Sequence, residues 1–167
     1  AGTTGLAIAR IDRVKAAPGY ERALAAALGD DLDAAIGGDG PLRWAGAAAS
    51  GDPALPAGTE RLADHVTAPD ELLRRLGQVA VVDKDDGTIV LGIGQRLVTR
   101  DGRMRRWDGF LAADVGAAAA ERLVRANRLS ELQAALPGAR VALDAALAAL
   151  AGANAAVQTA KAKNMVE

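Results

Sequence analysis

Gln95-Arg-Leu-Val-Thr-Arg-Asp-Gly-Arg-Met-Arg-Arg-Trp-Asp-Gly-Phe-Leu111 reads as two extended runs folded back on each other about Asp101-Gly102. Asp-Gly supplies the positive backbone angles that tight hairpin turns need, and Val98 and Thr99 favour a pleated strand. The spacing predicts a strand over residues 95–99 and a returning strand over 103–111. Upstream, Gln78-Val-Ala-Val-Val-Asp83 has the short apolar run of a buried strand. Turn chemistry at Asp86-Gly87 follows, then a further strand candidate over residues 88–91. No alanine falls between Val81 and Leu111, although the chain holds 41 of them in 167 residues. This section is the β part of an α+β molecule.

Outward from it lie helices. Pro18-Gly-Tyr-Glu-Arg-Ala-Leu-Ala-Ala-Ala-Leu-Gly29 opens with proline and stops at glycine, which brackets a helix of about three turns. Tyr20, Leu24, Ala27 and Leu28 share one face, and Ile8, Ile11 and Val14 mark an apolar stripe before it. Thr67-Ala-Pro-Asp-Glu-Leu-Leu-Arg-Arg-Leu-Gly77 repeats the pattern, with Asp70 and Glu71 suited to the positive end of the helix. Residues 37–58 are rich in Gly, Pro and Ala and read as a connection between two lobes, with a short strand at Leu42, Arg43 and Trp44.

From residue 117 onward the periodicity is that of a coiled coil. Leu129, Leu136, Leu143, Leu150 and Val157 recur every seven residues, and Leu132, Ala139, Ala146, Ala153 and Ala160 do the same between them. Pro137 falls inside this run, where it should kink the helix while the heptad phase continues. A single helix of this length cannot cover its own stripe and needs a partner. The chain therefore divides into an entering segment (1–10), a globular part (11–116, with lobes over about 11–58 and 59–116) and a helical arm (117–167). It reads as a piece of something longer, with one arm present and its partner missing.

Composition narrows the chemistry. Half of the residues are hydrophobic but only 2% aromatic, so the apolar inventory is mostly methyl groups. At about 25 cal/mol per Å² each buries little, and the core must gain from close backbone approach or from a second chain. Zero cysteines exclude disulfides and thiolate metal sites. No apolar run approaches the ~18 residues of a membrane span and no signal-peptide pattern opens the chain, which reads as soluble and intracellular. His65 is the single histidine. Asp83-Lys-Asp-Asp-Gly87 fails the calcium-loop spacing, because the sixth position is Thr88 rather than glycine. Gly87, Gly92 and Gly94 lack the Gly-Lys-Ser/Thr of a phosphate loop. No catalytic residue, cofactor or metal is expected, and the chain is not read as an enzyme.

Charge is more telling than its net value of −1. Acidic residues gather between Asp30 and Asp86, basic ones between Arg96 and Arg128. Arg96, Arg100, Arg103, Arg105 and Arg106 cluster round the Asp101-Gly102 hairpin, and Arg122, Arg125 and Arg128 follow at i, i+3 spacing. For any one of them a solvated ion pair is the plain reading. Together they point to weak, sequence-independent binding of DNA phosphates.

The helix beginning Pro18-Gly-Tyr-Glu and running into Ala27-Leu-Gly-Asp30 resembles the opening of the hinge domain of SMC (structural maintenance of chromosomes) proteins. Val98-Thr-Arg-Asp-Gly102 is similar to the family's strand and turn. Arg106-Trp-Asp-Gly-Phe110, followed by Asn127-Arg-Leu-Ser-Glu-Leu132 entering a heptad coil, is similar to the alphaproteobacterial branch. The resemblance covers residues 6–160. It implies a two-lobed homodimer joined at sheet edges, an antiparallel coiled coil formed with the missing N-terminal arm, and an ATPase head elsewhere in the longer protein. It implies a role in chromosome condensation and segregation, in the cytoplasm at the nucleoid. The dimer interface is expected at Leu97, Val98, Thr99, Gly102, Met104, Trp107, Gly109 and Phe110. Gly102 and Gly109 match the family's interface glycines, while the usual glycine-rich tail is replaced here by Arg105-Arg-Trp-Asp-Gly-Phe110. The rival reading is a coiled-coil adaptor that joins two proteins and has no DNA role.

Overall fold

The computed structural model describes residues 13–48, 50–113 and 116–165; Ile8, Ile11 and the entering segment lie outside them. The described residues form two contact units, one up to Asn127 and one from Arg128 onward.

In the first unit, strand β1 (Lys15–Ala16) leads to helix α1 (Glu21–Leu28) and a 3-10 turn over Gly29–Asp33. The Glu21 carboxylate, in the first turn of α1, accepts the Gly19 N–H at 2.8 Å and so ties the entering turn to the helix start. Gly29 leaves the helix at φ +56°. Strands β2 (Ala35–Ile36) and β3 (Arg43–Trp44) pair in parallel. Then come β4 (Glu60–Arg61), a 3-10 turn over Leu62–His65, β5 (Val66–Thr67), and α2 (Asp70–Gly77). Helix α2 carries Asp70 and Glu71 in its first turn and Arg74 and Arg75 in its last, both in the favourable sense for its dipole.

The main sheet adds β6 (Val79–Val82), β7 (Arg96–Thr99), β8 (Met104–Arg106) and β9 (Leu111–Ala112) in the order β4-β6-β7-β8-β9. Strands β7 and β8 form the expected hairpin, in which Gly102 takes φ +96° and its N–H donates to Thr99 O at 3.0 Å. Two expectations fail here. Residues 88–91 form no strand, because β6 and β7 run parallel and the chain must cross from the end of one to the start of the other. The buried Gln95 amide pins this crossover, accepting Gly92 N–H at 2.8 Å and donating to Ala54 O at 2.9 Å. The return over 103–111 is also not one strand. It breaks at Trp107-Asp108-Gly109, where Gly109 has φ +85°, and β9 starts afresh.

One buried cluster fills the unit, drawing on Val14, Tyr20 and Leu32 from the first half and Leu62, Leu72, Leu76, Val79, Val81 and Val98 from the second. Strand β1 pairs with β5 across position 58. The subdivision expected at residue 58 thus separates segments that share one core. Helix α1 is enclosed on every side, with all residues from Ala23 to Leu28 buried. Alanine permits this. A Cβ added at Gly116 would stand 2.9 Å from the Ala25 backbone, so chain passes against chain without side chains between.

Helix α3 (Ala117–Asn164) is helical without interruption through Pro137. Its first turns belong to the globular unit, which buries Ala119, Ala120 and Leu123, so the arm proper begins later than residue 117. The second unit is the remainder of α3, and no described residue in it is buried. Both heptad rows lie open, Leu132 at 52% exposure and Leu143 at 58%. By length and composition α3 is long and apolar enough to cross a membrane, with an 18-residue window of mean hydropathy 1.4. That corrects the expectation that no segment approaches a span. Alanine raises the mean without a continuous run of large apolar side chains, and Asp144 interrupts the apolar stretch.

Candidate functional site

The residues expected at a dimer interface separate into two groups. Leu97, Val98 and Thr99 sit in β7, which has hydrogen-bonded strands on both sides, and their side chains are buried within their own subunit. Gly102 is also buried, with a Cβ position 3.6 Å from the Arg22 side chain. Met104 is nearly closed off. A central strand has no free edge to offer a partner, so β7 is not where sheets could join. Leu97, Thr99 and Met104 instead border a groove of about 350 Å³ rimmed by Arg103 and Leu111.

Trp107, Gly109 and Phe110 are different: all three are exposed. They form the turn before β9, an edge strand of the sheet, and Leu111 beside them is 69% exposed. The Asp108 carboxylate accepts from Arg106 Nε and Nη2 at 3.1 and 2.6 Å and from Phe110 N–H at 3.3 Å. The Arg106 guanidinium stands 4.6 Å from the centre of the Phe110 ring. Hydrogen bonding to Arg106 holds the Asp108 carboxyl below the usual carboxylate range. The turn is a projection with two exposed aromatic rings, and its two charges are paired with each other.

The eight arginines are not one open patch. Arg96 is half-buried, and its Nη1 donates to Ala27 O at the C-terminal end of α1 while Nε has no partner. Burial pushes its guanidinium pKa down. Arg105 donates from Nε and Nη2 to Asp85 at 2.7 and 2.9 Å and reaches Ile89 O at 3.0 Å, which ties the crossover to β8. Hydrogen bonding to Arg105 lowers the Asp85 pKa. Both are structural. Arg100 belongs to a network: its Nη2 meets Tyr20 OH at 2.8 Å and Glu60 at 3.2 Å, and its Nε lies 3.3 Å from Asp83. Tyr20 stacks on His65 at 4.0 Å and donates its hydroxyl to Glu60 at 2.6 Å. His65 Nε2 reaches the same carboxylate at 3.0 Å, so the one histidine of the chain is a structural member of this network.

Arg103, Arg122, Arg125 and Arg128 are exposed, paired with Asp101, Asp33, Glu121 and Glu131 at 3.5, 3.2, 2.8 and 3.1 Å. Surface pairs of this kind are worth about 0–1 kcal/mol and open readily to a competing anion. Reasoning from sequence missed Arg22. It lines a cleft of about 450 Å³ with Glu21, Arg100, Glu121, Val124 and Arg125, and among the described residues no acidic side chain pairs with it. Nothing local marks Arg22, because beyond Gly19 and Glu21 its neighbours in the cleft come from the β7–β8 turn and from α3. Among the described residues no cluster of His, Cys, Asp and Glu is arranged to hold a metal.

No family model matches the chain. Over 150 residues, 87% of its length, the chain is 47% identical to the chromosome partition protein Smc of Rhodopseudomonas palustris. Over 130 residues it is 45% identical to the protein of the same name in Cereibacter sphaeroides. It spans only 13% and 11% of the length of those relatives. Among solved structures it is similar to an asymmetric dimer of the Geobacillus stearothermophilus SMC hinge domain. The TM-score is 0.52 at 18% identity, covering 87% of this chain and 73% of that one.

Proposed function

Because this chain is an SMC hinge domain with part of one helical arm, we propose that it joins two subunits of a longer chromosome-organising protein. The globular unit is the pairing module, and α3 carries the link outward. The ATPase work belongs to parts of that protein outside this chain. The observation that carries the reading is the sharing of nearly half of its residues with Smc proteins over most of its length, in a hinge fold that leaves an aromatic projection at the sheet edge uncovered. The two open heptad rows of α3 take the N-terminal arm of the same protein as their cover. In this reading the helix is an arm and not a membrane span, and the protein works in the cytoplasm at the nucleoid.

Sedimentation equilibrium tests the pairing. A dimer at micromolar concentration is expected, and a chain that stays monomeric at tens of micromolar contradicts it.

DNA is the second expected partner. Arg103, Arg122, Arg125 and Arg128 support it, because exposed ion pairs can exchange their carboxylates for phosphates, and Arg22 adds a guanidinium with no carboxylate to displace. Arg96 and Arg105 take no part, since both are held inside the fold. Fluorescence anisotropy with a labelled duplex should show weak binding that falls by orders of magnitude between about 50 and 200 mM salt. The triple substitution R103E/R122E/R125E should abolish it. Unchanged binding by that variant, or binding indifferent to salt, removes DNA from the function.

A further inference from the structure

Helix α2, the chain that follows β3 and the crossover between β6 and β7 enclose a cavity of about 350 Å³. Its walls include Trp44, Ala47, Glu71, Arg75 and Ile93. The Trp44 indole N–H is already satisfied by Asp31 O at 3.0 Å, so this ring offers the cavity an apolar face. Ile93, 76% exposed, adds an aliphatic side chain with little cover of its own.

The polar groups at the cavity divide into spent and unspent. Arg74 and Asp52 close on each other in a bidentate pair. The Gln78 amide donates to Pro53 O at 3.2 Å and accepts from Gln95 Nε2 at 3.4 Å. Glu71 and Arg75 remain. They stand one turn apart on α2, at the i, i+4 spacing whose glutamate-first order favours an ion pair. They do not pair. Among the described residues the Glu71 carboxylate has no partner, and Arg75 gives only Nη1, to Gly94 O at 3.1 Å. Each is engaged separately: the bond to Gly94 ties Arg75 to the crossover, and the backbone at Gly46 passes the Glu71 stem, where an added Cβ would stand 3.5 Å from Cγ.

Size and charge together select the occupant. Small-molecule sites run from about 300 to 1,000 Å³, so this one takes a compact ligand. A nucleotide would set its phosphates against Glu71. A divalent cation needs several oxygen ligands, and no such cluster exists among the described residues. One free anion and one cation with unused donors, a helical turn apart beside an aromatic face, match an ammonium and a carboxylate on one small apolar body. We infer that the cavity binds a free α-amino acid with an aliphatic side chain. Its ammonium meets Glu71, its carboxylate takes the unused N–H groups of Arg75, and its side chain lies against Trp44 and Ile93. Each ligand charge then forms a charge-assisted hydrogen bond that the fold leaves unmade. The site depends neither on subunit pairing nor on DNA.

Isothermal titration calorimetry of the full chain with L-leucine should give a Kd of roughly 0.1–1 mM, ordinary for so small a ligand. 4-Methylpentanoate lacks the ammonium and 3-methylbutylamine lacks the carboxylate; each should bind about tenfold more weakly or worse. Glu71→Gln should weaken L-leucine about tenfold and leave 4-methylpentanoate unchanged, whereas damage to the cavity would weaken both. In a Trp107→Phe chain Trp44 is the one tryptophan left, and its emission should respond as L-leucine is added. Absence of heat and of a Trp44 response at about 10 mM L-leucine overturns the site. Equal binding of L-leucine and the two single-charge analogues overturns it too, because the cavity is then an unselective apolar recess.

Discussion

Helices α1 and α3 are both built largely of alanine and have opposite fates. In α1 the residues from Ala23 to Leu28 are all buried, whereas in α3 beyond Asn127 no described residue is. Alanine is neutral between these outcomes. Its methyl group buries little area, so it contributes through what it lets come near. Around α1 the neighbours are present: strand β7 packs on it, and Gly116 passes against the Ala25 backbone. Along the arm the rows of leucine and alanine have the spacing for an equally close neighbour, and no described residue covers them. The same composition makes a finished core in one place and half of an interface in the other.

Leucine truncation breaks this comparison most sharply. Leu24→Ala, at 0% exposure, should cost about 2–5 kcal/mol in denaturant unfolding. Leu143→Ala in the arm should change it by less than about 0.5 kcal/mol while the arm is unpartnered. Equal losses at both positions mean that the arm is already covered. Smaller, but still large, is Gly116→Ala. Its φ of +88° and the 2.9 Å approach to Ala25 leave no room for a methyl group, and a loss of about 1–3 kcal/mol is expected by thermal unfolding. An unchanged Tm means that the first turn of α3 is free to move off α1.

Acid sharpens the contrast further, because the globular unit has a carboxylate network. The Tyr20 hydroxyl, and after it Arg100 and His65, hold the Glu60 carboxyl below its ordinary value near 4.5. A carboxyl with a lowered folded pKa stabilises the fold above the unfolded value, and that gain is lost as the pH falls through the folded one. The Tm of the parent should therefore fall more steeply below about pH 4.5 than that of Glu60→Gln. Parallel curves for the two chains show that this network contributes nothing. The smallest effect belongs to the exposed i, i+4 pair of Arg125 with Glu121, where Arg125→Ala should alter stability by less than about 0.5 kcal/mol.

What could be read in advance followed from local signals. Pro18 and Gly29 bracketed α1, Gly77 closed α2, Asp101-Gly102 made the β7–β8 hairpin, and the heptads ran along α3. What local signals could not reach shares one cause, which is pairing between residues distant in the chain. Residues 88–91 have strand-forming side chains but serve as a crossover, because β6 takes β7 as a parallel neighbour. Leu97, Val98 and Thr99 look like an interface strand until β6 and β8 are seen on either side. Arg105 looks like part of a basic patch until Asp85 closes on it, and Arg22 had no local signal at all.

The sequence by itself determined where helices begin and end, where the hairpin turns, and that a long apolar stripe wants a partner. Each of these is set by residues within a turn or a heptad of one another. Only the tertiary structure decided which strand is central, which arginines are already neutralised, and which aromatic turn stands at the sheet edge. Those outcomes depend on which distant groups meet, and a side chain's charge or apolarity constrains its partner's chemistry without specifying the partner's position.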